Sequence, residues 1–192
     1  MGLLTTGPGG PWSVVRGLWS VIGGRACAGA KDVAIRLTRA LRLTPDLANA
    51  IIKACEYHDL GKNREWWQAA IGNTEGEPLA KSDAPSFDHA VNKGYRHEFG
   101  STLEAEGDPS LAEHPYRDLI LHVIAAHHGW ARPEFRPQAY DRSQPIWVCQ
   151  QAAKEAALRF ARLQRSFGWW GLAYLEALVK CVDILASQER RE

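Results

Sequence analysis

The 192-residue chain has no CxxC pair, and its four cysteines, Cys27, Cys55, Cys149 and Cys181, stand far apart. That spacing excludes a thiolate zinc site. Because three of the four lie inside apolar runs, they read as reduced core residues of a cytoplasmic protein, not as a disulfide framework. There is no run of about 18 apolar residues, so no membrane-spanning helix is expected. Residues 1–25 scatter Gly, Pro and Arg among their apolar positions, with no basic stretch ahead of a hydrophobic one, and make a poor signal peptide. Charge of one sign is also lacking. The 23 Lys and Arg against 22 Asp and Glu leave a formal +1, which excludes a polycationic nucleic-acid coat and an acidic tail but not a local basic patch. No internal repeat, low-complexity tract or sustained period-2 alternation is present, so a β architecture has no support. What is there is a core: 45% hydrophobic against 23% charged residues excludes wholesale disorder, and the length suits one domain.

Helical periodicity accounts for most of the chain. Residues 1–30 are Gly-rich and read as an irregular segment holding one short helix around 13–22. A helix is predicted over 31–43, with Val33, Leu37 and Leu41 in one stripe. Thr44-Pro45 marks the next helix start. In that helix Leu47, Ile51, Cys55 and His58 share a face, and Gly61 is expected to stop it. Residues 73–94 read as a long polar loop, 97–106 and 116–128 as helices, 133–145 as a second long loop, and 146–165 and 169–188 as two closing helices. In the last of these, Leu172, Leu175, Val179, Val182 and Asp183 fall on one face. The expectation is an all-α helical bundle with two long loops.

Three of these helices carry a metal-capable side chain inside or at the end of an apolar stripe: His58-Asp59, His127-His128 and Asp183. A charged Asp183 among Leu and Val is costly to bury unless paired or ligated. A shared divalent ion removes that cost for all of them, since imidazole and carboxylate suit Mn, Fe, Ni, Co or Zn. Taken singly, each has an ordinary alternative: a salt bridge for Asp183, a helix-end dipole contact for His127-His128, a surface position for His97.

The run His58-Asp59-Leu60-Gly61-Lys62, then Arg96-His97-Glu98, then His127-His128-Gly129, then Asp183, resembles the HD phosphohydrolase superfamily. Within it, the likeness is to the HD nuclease domain of the type I CRISPR interference helicase-nuclease, and it covers roughly residues 31–187. The resemblance implies an HD nuclease domain over 31–192 and two divalent ions (Mn, Ni, Co, Fe or Mg). Asp59 would bridge the ions, His58 and Asp183 would bind the first, and His97, His127 and His128 the second. Asp59 and Lys62 are the expected catalytic residues. Lys62 would steady a phosphate oxygen, or else is a solvated lysine near a helix end. The family pattern also has an upstream His three residues before an Asp-Val pair. Here Asp32-Val33 is present but Gly29 takes the His position. The first ion would then be weakly held, completed by water or Asp32, or absent.

After His128, basic and aromatic residues interleave: Trp130, Arg132, Phe135, Arg136, Tyr140 and Arg142. Such a pattern suits single-stranded nucleic acid, with bases on the rings and phosphates on the guanidinium groups, and Trp130, Arg132 and Arg136 are the expected DNA contacts. Arg159, Arg162 and Arg165 form a basic helical stripe that reads either as a second contact or as a solvated face. Trp66-Trp67 and Trp169-Trp170 are each expected to give at least one Trp to the core, since exposed Trp pairs are costly without a partner. The resemblance implies a metal-dependent nuclease cutting single-stranded DNA, partnered by a DNA helicase and an RNA-guided CRISPR effector complex. The alternatives are an HD phosphohydrolase of small nucleotides, and a degenerate, non-catalytic HD domain. His89, His114 and His122 match no motif position.

Overall fold

A computed structural model describes residues 28–79 and 87–189, and every regular element in them is helical. The expected short helix at 13–22, and Cys27, lie outside the described residues. Helix α1 (Ala28–Ala40) starts three residues before the predicted position and inside the segment expected to be irregular. Helix α2 (Pro45–Tyr57) opens as expected on Thr44 and Pro45, with Asp46 in the first turn where the helix dipole favours an acid, although the Thr44 side chain makes no capping bond. It ends at Tyr57, not at Gly61. His58 is the C-cap, and Leu60–Lys62 form a separate 3-10 turn.

Helix α3 (Glu65–Ala70) follows, and α4 (His89–Asn92) interrupts the loop expected over 73–94. Asp88 starts α4 by accepting from the Ala90 and Val91 amides. Helix α5 (His97–Glu106) matches the predicted bounds. Helix α6 (Arg117–Ala126) is shorter than expected at both ends, leaving His127 as its C-cap. Beyond the second loop, α7 (Ile146–Glu189) is broken at Gly168, whose φ of 68° and ψ of 172° are not helical, so two closing helices are present as read.

Helix α6 is the central element. Residues 119–126 are all buried, and α6 packs against α2, α5 and α7. Each fully buried Leu, Ile or Val there contributes about 1.5–3 kcal/mol, enough to fix the position of the His pair at its end. The main core joins Val33 of α1, Ile51 and Cys55 of α2, Ile120 and Ile124 of α6, and Leu172, Val179 and Val182 of α7. A second cluster places Phe99, Phe135, Cys149 and Ala153 together, and a third holds Trp67, Ile71 and Tyr95.

Several expectations are corrected here. Phe135 is core, edge-on to Phe99, and offers no face to a base, and the half-buried Tyr140 stacks one of its faces on the same Phe99 ring. Arg159 is buried between Glu106 and Asp118, and Arg162 pairs with Asp118 and Glu155. Arg159 and Arg162 thus belong to an ion-pair network joining α7 to the end of α5 and the start of α6, while Arg165 is exposed. Trp67 is buried as expected, but Trp169 and Trp170 are both exposed, at 76% and 89%, the inward positions after the kink being taken by Leu172 and Leu175. Cys181 is exposed, on the outer side of α7, while Cys55 and Cys149 are buried thiols. Among the described residues no helix is long and apolar enough to cross a membrane.

Candidate metal centre

Two helix ends present imidazoles in the same way. His58 at the end of α2 donates from Nδ1 to the Cys55 carbonyl at 2.8 Å, and His127 at the end of α6 donates from Nδ1 to the Ile124 carbonyl at 2.6 Å. A carbonyl only accepts, so each ring carries a proton on Nδ1, and in its neutral form keeps a lone pair on Nε2. Those two nitrogens face the same cleft as Asp59. His58 Nε2 lies 3.6 Å from Asp59 Oδ1 and 3.8 Å from Asp183 Oδ1. His97, the first residue of α5, places Nε2 at 3.5 Å from Asp59 Oδ1 and 3.3 Å from His127 Nε2. The ligand atoms of His97, His127 and His128 all lie within 4.8 Å of one another. All six residues expected to bind metal thus meet at one place, with Asp59 Oδ1 between the His58–Asp183 side and the His97–His127–His128 side.

Asp59 Oδ1 is buried and has no hydrogen-bond partner. Such an atom costs roughly 1–3 kcal/mol or more, and the cost is met when a cation takes up its lone pairs. The orphaned oxygen and the surrounding imidazole nitrogens form a donor set suited to a divalent transition ion. Glu98 Oε2, also buried and unpartnered, sits 3.4 Å from His97 Nδ1, on the side of that ring away from the cleft.

The electrostatics separate the two sides of the site. Burial, the Lys62 ammonium and the neighbouring imidazoles hold His97 well below the usual histidine range. Burial together with His58 and His128 does the same for His127. Burial and Lys180 push His128 down to about 4. These three rings are neutral at pH 7, the state a metal requires. Burial opposes charge on His58, but the Asp59 and Asp183 carboxylates outweigh it and raise that ring. Burial would raise both carboxyls as well, yet His58 holds Asp183 below its ordinary value, and His58 and Lys62 hold Asp59 far below. Burial raises Glu98 to about 7.

Lys62 is not the solvated lysine of the alternative reading. It is buried, donates to Asp59 Oδ2 at 2.7 Å and lies over the Trp67 ring. Lys180, which the sequence reading missed, contacts His128 Nδ1 at 2.9 Å and Asp183 Oδ2 at 3.5 Å. Its only signal was the i,i+3 spacing to Asp183. At Gly29, the position of the family's upstream His, a Cβ would meet nothing within 4 Å, and Asp32 is exposed.

The frame around the centre is polar and closely fitted. The Gly61 amide donates to Ser101 Oγ, whose hydroxyl donates to the His58 carbonyl, and the Tyr95 hydroxyl donates to the Gly61 carbonyl. Arg64 bridges Glu104 of α5 and the buried Asp141 of the second loop. Gln68 donates to the Lys62 and Leu79 carbonyls and accepts from the Leu79 amide, tying the first loop to the His58-Asp59 turn. Of the expected DNA contacts, Arg132 borders a cleft of about 340 Å³ shared with His128 and Lys180. Its Nη1 donates to Glu176 Oε2 at 2.8 Å, and Glu176 Oε1 lies 2.7 Å from the buried His122 Nε2. Trp130 carries the Arg96 guanidinium over its ring at 4.1 Å, and Arg136 is exposed and does not border this cleft.

Comparison of the chain with protein-family models, with curated proteins and with solved structures found no match.

Proposed function

We propose that the chain is a metal-dependent phosphodiesterase of the HD type, a nuclease that cleaves single-stranded DNA. The observation that carries the reading is the convergence of six donor side chains from four helices around the unpartnered Asp59 Oδ1. His58, Asp59 and Asp183 would hold one divalent ion, and His97, His127, His128 and Asp59 the other. Bound there, such ions supply a hydroxide at neutral pH and a charge to set against a pentavalent phosphate. The protein's own contribution is positional. Backbone carbonyls set the His58 and His127 tautomers, Lys62 holds Asp59 in its rotamer, and Arg132 offers the donors not used on Glu176 to a phosphate beside His128.

By the sequence resemblance, the strand would be delivered by a DNA helicase acting on a target opened by an RNA-guided CRISPR effector complex. Circular single-stranded DNA tests the activity, because it has no ends. Incubated with Mn²⁺, Ni²⁺, Co²⁺ or Mg²⁺, the protein is expected to linearise it, and Asp59→Ala or EDTA to abolish this. Cleavage that persists in Asp59→Ala removes the reading. An inert protein that instead hydrolyses nucleotides establishes the small-nucleotide alternative.

A further inference from the structure

The cleft at His128 continues past Arg132 into a second hollow of about 390 Å³, within the range of pockets that take a small ligand, about 300–1,000 Å³. The two share Gly129, Arg132, Ala173 and Glu176 as a common wall. The far hollow has an apolar floor, Phe160 and Leu172, with the Gln164 amide and the Trp169 indole at its edge. Its composition differs from that of the metal centre: no imidazole or aspartate borders it, and its one cation, Arg132, stands at the boundary with the first cleft.

Trp169 is 76% exposed, a large apolar face left in water beside a guanidinium. Arg132 is fixed there by Glu176, itself held by His122, and still leaves 43% of its side chain accessible. Gly168 breaks α7 immediately before Trp169, so the indole stands at a bend in the helix. A ligand that suits this order has an anionic group at Arg132, a flat ring with polar edges beyond it, and a scissile phosphate on the other side. That is a nucleotide in a chain.

Building on the nuclease reading, we propose that the hollow bordered by Trp169 is a nucleobase subsite. A base would stack on the Trp169 indole, the Gln164 amide would meet its edge, and Arg132 would hold the phosphate that joins this nucleotide to the one at the metal centre. Stacking on a ring with few directed polar groups makes the subsite tolerant of sequence and selective for single strands, since in a duplex both faces of a base are covered by its stacked neighbours.

Trp170 supplies the control: it is next in sequence, more exposed at 89%, and borders neither hollow. Binding of a fluorescein-labelled oligo(dT) is measured by anisotropy in EDTA, which prevents cleavage, for the full chain and for Trp169→Ala and Trp170→Ala. Trp169→Ala is expected to weaken binding between about fivefold and a hundredfold, and Trp170→Ala to leave it unchanged. An abasic oligonucleotide is expected to bind wild type and Trp169→Ala alike. Equal affinity of wild type and Trp169→Ala for oligo(dT) overturns the subsite and leaves the nuclease reading standing. If wild type binds no single strand at all, the polymer substrate fails, and the subsite with it.

Discussion

Gly61 and Gly100 face one another where the His58-Asp59 turn crosses α5: a Cβ built on Gly100 would lie 2.1 Å from the Tyr95 hydroxyl and 3.2 Å from the Gly61 Cα, and one on Gly61 would lie 2.0 Å from the His97 carbonyl oxygen. The Gly61 contacts are with backbone atoms, and the Tyr95 hydroxyl is held in place by its bond to the Gly61 carbonyl. The absence of both methyl groups lets α5 approach closely enough for His97 to reach Asp59. Gly61→Ala is therefore expected to push α5 outward, cost about 3 kcal/mol of stability and weaken Co²⁺ binding. Gly29→Ala, where a Cβ meets nothing within 4 Å, is expected to leave metal binding unchanged and gain about 0.5 kcal/mol from helix propensity. Denaturant titration and Co²⁺ absorption of the two variants test the contrast. Equal metal affinity in both would mean that close packing of α5 is not what sets the site.

Lys62 donates to Asp59 Oδ2 in a setting where both side chains are buried. Removing the ammonium with Lys62→Met leaves a buried carboxylate without that partner, a loss on the order of 3–5 kcal/mol. A divalent ion on the same carboxylate would replace the missing charge. Thermal unfolding is thus expected to fall sharply for Lys62→Met in EDTA and to recover much of the loss in Mn²⁺. A deficit of the same size in both buffers would show that no cation reaches Asp59.

Much of this candidate site could be read from the sequence because its donor side chains sit at helix ends or in apolar stripes. The run Leu47, Ile51, Cys55, His58 pointed at the cleft, and so did Ile124 followed by His127-His128. What was illegible depended on partners far along the chain. Arg159 looked like one member of an i,i+3,i+6 basic stripe, and only the placement of Glu106 and Asp118 makes it a core residue. Phe135 looked like a stacking ring in a basic loop until Phe99 covered it. Gly61 resembles a helix stop in the sequence because glycine often serves that role, whereas here its lack of a side chain matters for the approach of another helix. Gln68, Lys180 and Glu176 belong to no motif, and their roles appear only when loops and helix faces are brought together.

Proton competition for the centre follows from its burial. His128 titrates near 4, and His97 and His127 are also held below the ordinary 6.5. Protons bind these three rings only below their folded values, so the affinity of the ion they would hold is expected to stay nearly flat as pH falls through 6.5 and to collapse towards pH 4, whereas the raised His58 makes the other ion the first to be lost. The sign is that of a depressed base: lowering pH through the folded pKa converts a neutral ligand to a cation that repels the metal. Visible absorption of the Co²⁺-loaded protein across that range measures it. A loss centred near pH 6.5 would indicate ordinary, solvated histidines.

Arg159 and Arg132 separate structural from ligand-facing guanidinium groups. Arg159 is 1% exposed, but its partners Glu106 and Asp118 are 29% and 39% exposed at their side chains. Arg159→Met leaves carboxylates that water can reach, so the loss should be below that of a fully buried pair, about 2–3 kcal/mol, with single-strand affinity unchanged. Arg132→Ala removes a half-exposed group and leaves Glu176 its bond to His122, a cost of about 1 kcal/mol. It should instead weaken oligonucleotide binding and flatten the slope of log affinity against log salt by about 0.7, the share of one phosphate on a single strand. Chemical denaturation paired with anisotropy at several salt concentrations reads both quantities, and a salt slope altered equally in the two variants would remove Arg132 from the phosphate path.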